Sequence, residues 1–290
     1  MSKLSIINDR SLVIQNGKIV AFEKTKEILS NYDESKFEVI NASGKTILPD
    51  FIDSHTHFLF NGYRVEEFIS RLKGKNYLEI IKQGGGILST VKSTRKVSMK
   101  KLFELGKKRL DSFLSMGVTT IEGKSGYGLD FDTEIKQLKT MKLLNSKHSI
   151  DIKTTFLGAH AIPLEYKNNS NKYIDYIIKS VLPFVIEKRL AEFCDIFCEN
   201  SLFSIKQSKK LLLKAKEMGM KLKIHADEFG PSGGAELASE IGAISADHLL
   251  NISKRGIKSL ANNGPIAVLL PGSWHSFLFN PTSSQSPQIC

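Results

Sequence analysis

Two different periodicities divide this chain. Near its start, two short apolar runs, Ser11-Leu12-Val13-Ile14 and Lys18-Ile19-Val20-Ala21-Phe22, flank Gln15-Asn16-Gly17. Extended runs on either side of Asn-Gly predict a β-hairpin, because both turn residues tolerate the backbone a tight hairpin needs. Glu38-Val39-Ile40 predicts a further strand, followed by a turn at Ala42-Ser43-Gly44. Residues 1–48 therefore read as a small β module.

From Ile47 onward, short apolar runs alternate with amphipathic stretches. The runs lie at 51–55, 118–122, 152–157, 194–198, 221–226, 244–248 and 266–270. Among the stretches between them, Lys100–Met116 places Phe103, Leu110, Phe113 and Leu114 on one helical face. Ser204–Met218 opens with a capping box, Ser204 with Gln207, and stops at Gly219. Glu236–Ile241 stops at Gly242, and Ser253–Asn262 stops before Gly264. Strands alternating with helices predict parallel βα units. The expected fold is α/β, a (β/α)8-type TIM barrel over residues 49–272. It is incomplete, because closure takes eight strands and seven are found. The segment Phe58–Ser98 reads as loop and short helix. Its Gly84-Gly85-Gly86 run is a flexible turn there; no strand precedes it and no Lys-Ser/Thr follows, as a phosphate loop requires.

Composition narrows the classes. The 290 residues are 41% hydrophobic, enough for a sizeable core. No apolar run approaches the ~18 residues of a membrane span, and the N-terminus has no signal-peptide core. A cytoplasmic protein is expected. The net charge of +11 raises nucleic-acid binding, but the lysines are scattered without dense blocks or interleaved aromatics, so a solvated basic surface is expected and no nucleic-acid partner. Cys194 and Cys198 lie in an apolar run and read as reduced core thiols rather than metal ligands.

The histidines carry the chemistry. His55 and His57 are two apart at the end of a strand that begins Phe51-Ile52-Asp53. Residues i and i+2 of an extended chain face the same way, so both imidazoles can meet one ion. His225 ends Leu222-Lys223-Ile224 and supplies a third nitrogen at an equivalent strand end. Glu228, three residues later, is placed to take a proton from a metal-activated water and pass it to a leaving nitrogen; as a bland alternative it caps a helix. His248 ends the sixth run and reads as a proton shuttle, a carbonyl hydrogen-bond donor or a core histidine. His160 reads equally as a substrate contact or a buried structural group. Arg64, in the loop after the first barrel strand, suits a two-bond grip on a carboxylate. Tyr127, in the loop after the second, is a candidate substrate holder. His148 gives no signal.

These residues resemble a known family. Leu48-Pro49-Asp50-Phe51-Ile52-Asp53-Ser54-His55-Thr56-His57 resembles the opening strand of the amidohydrolase superfamily. Phe60–Phe68, Gly84–Thr90, Lys124–Leu129, Thr155–Pro163, Asp195–Glu199, Ile224–Gly234 and Ser245–Leu249 together resemble the imidazolonepropionase family, from about residue 11 to about residue 272. The resemblance implies hydrolysis of a ring C–N bond of 4-imidazolone-5-propanoate, giving N-formimidoyl-L-glutamate, in histidine degradation. It implies metal ligation by His55, His57 and His225. It implies substrate contacts from Arg64, Tyr127, His160 and Glu228, with Glu228 and His248 assisting proton transfer. Two-metal members of the superfamily use a lysine on the fourth barrel strand. Here that strand reads Cys194-Asp195-Ile196-Phe197-Cys198-Glu199, so one zinc or iron ion is implied. The implied partner is a small anionic substrate; a homodimer is left open.

The family pattern also includes an aspartate ending an eighth strand, as a fourth ligand. The tail Ser273–Cys290 contains no aspartate or glutamate and has no helical period. It reads as an atypical tail of the kind a reading-frame break or premature end would leave. Asp227 and Asp247 are the acids weighed as substitutes. The competing expectations are an inactive barrel fragment and a related deaminase or cyclic-amide hydrolase.

Overall fold

Asn16 and Gly17 both take positive φ, +54° and +73°, and turn the chain between β1 (Arg10–Gln15) and β2 (Lys18–Lys24). The strands pair antiparallel from Gln15↔Lys18 outward, the expected two-residue hairpin. A short helix, α1 (Thr25–Asn31), follows. The structure is a computed structural model that describes residues 6–73 and 85–272. It divides into two compact units, Met1–Pro49 and Asp50–Cys290. The expected strand at Glu38–Ile40 is absent: the segment is irregular, with Val39 and Ile40 exposed. A strand needs a partner ladder, and among the described residues none pairs with it. Gly84 and the tail from Ser273, with His275, lie outside the described residues.

The second unit is a seven-stranded parallel sheet in sequence order: β3 (Phe51–Thr56), β4 (Val118–Lys124), β5 (Asp151–Ala159), β6 (Phe193–Cys198), β7 (Lys221–Ala226), β8 (Ser245–His248) and β9 (Ile266–Val268). All seven expected runs are strands, although the last stops at Val268 rather than Leu270. The sheet is rolled. β3 and β8 are five strand intervals apart, roughly 24 Å in a flat sheet, yet His55 on β3 lies 2.6 Å from Asp247 on β8. This is a TIM-barrel-type sheet in which, among the described residues, no ladder joins β9 to β3.

Helices connect its strands: α2 (Val65–Leu72), α3 (Ile87–Arg95), α4 (Met99–Ser115), α5 (Phe131–Asn145), α6 (Ser170–Tyr176), α7 (Leu182–Glu187), α8 (Ile205–Glu217), α9 (Gly234–Ile241) and α10 (Lys254–Asn263). The capping box is present on α8: the Ser204 side chain accepts from the Gln207 N–H, and Gln207 returns a bond to the Ser204 N–H. The buried face of α4 is Leu102, Gly106 and Leu110, with Phe103 and Phe113 half-buried; Leu114 is exposed, one position off the stripe. Gly106 is where α4 meets α5. A Cβ there would lie 2.6 Å from Leu144 and 2.8 Å from Leu59.

Strand alternation sorts the barrel. On β7, Leu222, Ile224 and Ala226 pack outward among the helices, leaving Lys223 and His225 facing inward. On β6, Cys194, Ile196 and Cys198 pack outward, and both cysteines are free, buried thiols. Burial pushes the Cys198 thiol up to about 12, which keeps it protonated and a poor ligand. The polar inward positions of β3, β4, β6, β7 and β8 make the site.

Candidate metal centre and active site

His55 sits near the end of β3 and His57 just past it, so the two-residue spacing turns both rings inward. The Nε2 of His57 lies 3.3 Å from that of His55 and 3.2 Å from that of His225, which β7 brings from across the barrel. The ligand-capable atoms of the three all fall within 4.8 Å of one another. Three nitrogens aimed at one spot cannot all satisfy each other well; a cation at their centre accepts all three lone pairs.

The far sides of the rings fix which nitrogen is free. His55 Nδ1 lies 2.6 Å from Asp247 Oδ2. An ionised carboxylate can only accept, so His55 carries its proton on Nδ1 and leaves Nε2 as a lone pair. His225 Nδ1 lies 2.9 Å from Asp195 Oδ2, at an approach too oblique for a well-formed hydrogen bond but close enough to bias the same tautomer. His57 Nδ1 is buried with no hydrogen-bond partner among the described residues. Burial, then the charge of Lys124, pulls His55 down to about 4 against the opposing pull of Asp247. Burial likewise holds His57 and His225 well below the usual imidazole range. All three are neutral at neutral pH, the form in which imidazole binds metal. The donor set therefore fits one divalent ion.

His160 closes one side. Its ring stacks on His57, centroids 4.7 Å apart and planes 16° apart. Its Nδ1 lies 3.0 Å from the Gly126 carbonyl, which can only accept, so its Nε2 is the free acceptor. Gly126 has φ +102°, and a Cβ there would sit 2.8 Å from both His160 Cβ and the Leu157 carbonyl; only glycine lets the loop approach so closely. Tyr127, next in that loop, meets His57 and His160 edge-on at 5.9 and 5.3 Å. It also lines, with Phe60, Tyr63, Arg64 and Thr90, a cavity of about 340 Å³. Arg64 is half-buried there, its Nη1 3.8 Å from Glu67, and its charge bears on both Tyr127 and His160.

His248 ends β8 with φ +77°, a turn that brings its ring beside those of His55 and His225, at 5.0 and 5.1 Å. Strict alternation would have sent it to the face opposite Asp247. Burial lowers it to about 4, and its Nδ1 is 3.4 Å from Glu228 Oε1. Glu228 is buried in the loop after β7, with its N–H donating to Glu199 Oε1 at 2.6 Å and its carbonyl accepting from Asn251. The next helix along the chain, α9, is capped by a different residue. That residue is Asp227, whose carboxylate accepts from the N–H groups of Gly233, Gly234 and Ala235 at the start of α9. Asp227 is thus already engaged and does not stand in as a ligand, and Asp247 reaches the centre only from behind His55.

Every expected site residue except Arg64 thus falls in one cluster of rings and carboxyls around His57, and Arg64 stands beside it in the Tyr127 cavity. Sequence reasoning missed what lies beneath, apart from Asp247, which it weighed only as a substitute ligand. Glu122, Lys124, Asp195, Lys223 and Asp247 form a buried charged layer under the histidines. The signal was present: charged residues alternate with apolar ones in Ile121-Glu122-Gly123-Lys124 and Leu222-Lys223-Ile224-His225. It also missed Arg109 on α4. Its Nη1 donates to the carbonyls of Phe58 and Phe60, at 2.7 and 2.8 Å, and its guanidinium covers the Phe60 ring at 3.8 Å. It fixes the loop that carries Arg64. His148, silent in sequence, is structural: it receives the Ile150 N–H and lies 3.1 Å from Asp111.

No family model matches the chain. It is 54% identical to the imidazolonepropionase of Clostridium tetani over 271 residues, 93% of this chain and 65% of that protein. It is 49% identical to that of Parabacteroides distasonis, again over 93% of this chain and 65% of the relative. The chain thus spans 65% of the length of these curated relatives. Among solved structures, it resembles the 5-methylcytosine deaminase of Klebsiella pneumoniae with a TM-score of 0.63 at 13% identity, over 89% of this chain and 62% of that one. At that identity the likeness speaks to the barrel fold alone.

Proposed function

As the chain belongs with the imidazolonepropionases of the amidohydrolase superfamily across the part of them it spans, we propose that it holds one metal ion, zinc or iron, and hydrolyses a ring C–N bond of 4-imidazolone-5-propanoate to give N-formimidoyl-L-glutamate. The observation that carries this reading is the convergence of three Nε2 atoms beside a cavity lined by Arg64. His55, His57 and His225 hold the ion. When bound, it supplies the Lewis acidity that makes water nucleophilic near neutral pH.

The chain's own residues do the rest. Arg64 grips the propionate of the substrate, a match between a planar cation and a carboxylate. His160, through its free Nε2, and Tyr127, through its hydroxyl, orient the ring over His57. Glu228 takes the proton given up as water adds to the ring and delivers it to the departing ring nitrogen. His248, beside Glu228, steadies that proton and the oxygen on which charge develops. A cytoplasmic setting and a homodimer belong to the same reading.

Substrate ring absorbance provides the test. With about one zinc or iron bound per chain, the absorbance of imidazolone propanoate decays on adding protein, and chelation stops the decay. Absence of decay from metal-loaded protein overturns the activity.

A further inference from the structure

The charged layer under the histidines is centred on Lys124, a side chain with no exposure at all. An ammonium has three N–H donors, and this one meets three carboxyl oxygens: Asp195 Oδ2 at 2.7 Å, Glu122 Oε1 at 2.9 Å and Asp247 Oδ2 at 3.2 Å. Two of those oxygens do double duty. Asp247 Oδ2 is the atom 2.6 Å from His55 Nδ1, and Asp195 Oδ2 is the atom 2.9 Å from His225 Nδ1. One oxygen on each aspartate therefore bridges the same ammonium to a different imidazole of the three-histidine cluster.

The place Lys124 occupies is itself suited to a cation. Ligand-capable atoms of His55, Glu122 and Asp247 fall within 4.8 Å of one another, a second acid-rich group next to the first. Lys124 Nζ already lies against both of its carboxylates. Burial alone would lower the amine, but Asp195, Asp247 and Glu122 together hold it above its ordinary value, so it stays charged. The neighbouring Lys223 is a weaker support: its Nζ is 3.2 Å from Glu122 Oε2 and 3.8 Å from Asp247.

We propose that Lys124 is a positioning residue for the metal centre, an internal cation standing where a second metal would sit and holding Asp195 and Asp247 against the far sides of His225 and His55. It acts through those two aspartates and touches neither the metal site nor substrate. Without it, three carboxylates would gather in a dry interior with only Lys223 nearby, and Lys223 reaches just two of them, Glu122 and Asp247. Uncompensated, Asp247 and Asp195 would turn away, and His55 would lose the partner that fixes its tautomer and His225 the one that biases it. This inference rests on the metal reading above.

The test uses the full chain stripped of metal, with zinc affinity measured by competition against a chromophoric chelator and ligand geometry by the visible bands of bound cobalt(II). Lys124→Met is expected to weaken zinc binding about 10–100-fold and to shift the cobalt bands, whereas Lys223→Met changes both far less. Asp195→Asn, which leaves Lys124 in place, should weaken binding too, and adding Lys124→Met to it should cost less than in the wild type. A folded Lys124→Met protein with wild-type affinity and spectrum overturns the inference. Should that variant not fold, Asp195→Asn decides: wild-type cobalt bands there overturn it. A wild-type chain that takes up neither ion overturns the metal reading, and this inference with it.

Discussion

At the scale of the residue, the site is made by lone pairs whose direction is set from behind. Asp247 forces the proton of His55 onto Nδ1, and the Gly126 carbonyl does the same for His160. Neither effect needs a charged imidazole, and burial keeps both rings neutral. Arg64 is different: it works as a charge of fixed shape. A lysine in its place keeps the charge and loses the planar fork, so the proposed grip on a carboxylate weakens. Arg64→Lys is expected to raise KM for imidazolone propanoate about tenfold or more, since a charge-assisted hydrogen bond contributes about 1.5–3 kcal/mol, with a smaller effect on kcat. Steady-state kinetics decide it; an unchanged KM would remove Arg64 from substrate binding.

At the scale of the element, the loop after β4 shows how a strand end is made rigid. Gly126, Gly128 and Leu129 all donate their backbone N–H to the Glu134 carboxylate on α5, at 2.8–3.2 Å. The Tyr127 N–H goes to Gln137, one turn further along the same helix. A loop with four backbone donors bound to one helix face holds Tyr127 and the Gly126 carbonyl still. Glu134→Ala leaves three buried N–H groups without acceptors, each a loss of about 1–3 kcal/mol. The expected result is destabilisation of about 3 kcal/mol or more in urea unfolding. Glu134→Gln retains one acceptor oxygen and should lose less than half as much. Equal losses for the two would mean that packing, and not these bonds, matters at that position.

At the scale of the whole molecule, folding brings several neutral histidines into one dry interior. His55, His160 and His248 are all held near 4 by burial, against about 6.5 in an unfolded chain. The sign follows from which state binds protons first. As pH falls below about 6.5 the unfolded chain takes them up and the folded one does not, so stability drops until pH nears 4 and levels off below. Metal-free protein should therefore show a lower urea midpoint at pH 5.5 than at pH 7.5. A midpoint that rises or stays level would mean that these rings are not buried neutral.

How much of this was legible beforehand differs from one residue to the next. The Asn16-Gly17 hairpin, the capping box at Ser204 and all seven barrel runs could be read from the chain, because each depends on neighbours within a few residues. His55 and His57 could be read as a pair for the same reason: a two-residue spacing fixes their shared face. The false strand at Glu38–Ile40 and the misjudged Leu114 show the limit of local pattern, since burial and pairing are granted by partners elsewhere. His160 could not be assigned from its own neighbours in the chain and took a role only from the family resemblance, because its surroundings include a ring stacked from another strand. Lys124 read as one more basic residue among 41. Only the rolled sheet reveals it as the fully buried hub of three carboxylates drawn from three strands. The sequence by itself determined the elements and the kinds of groups at their ends. Tertiary structure alone decided which of those groups meet, because rolling the sheet brings β3 against β8, and no local signal encodes a contact 192 residues long.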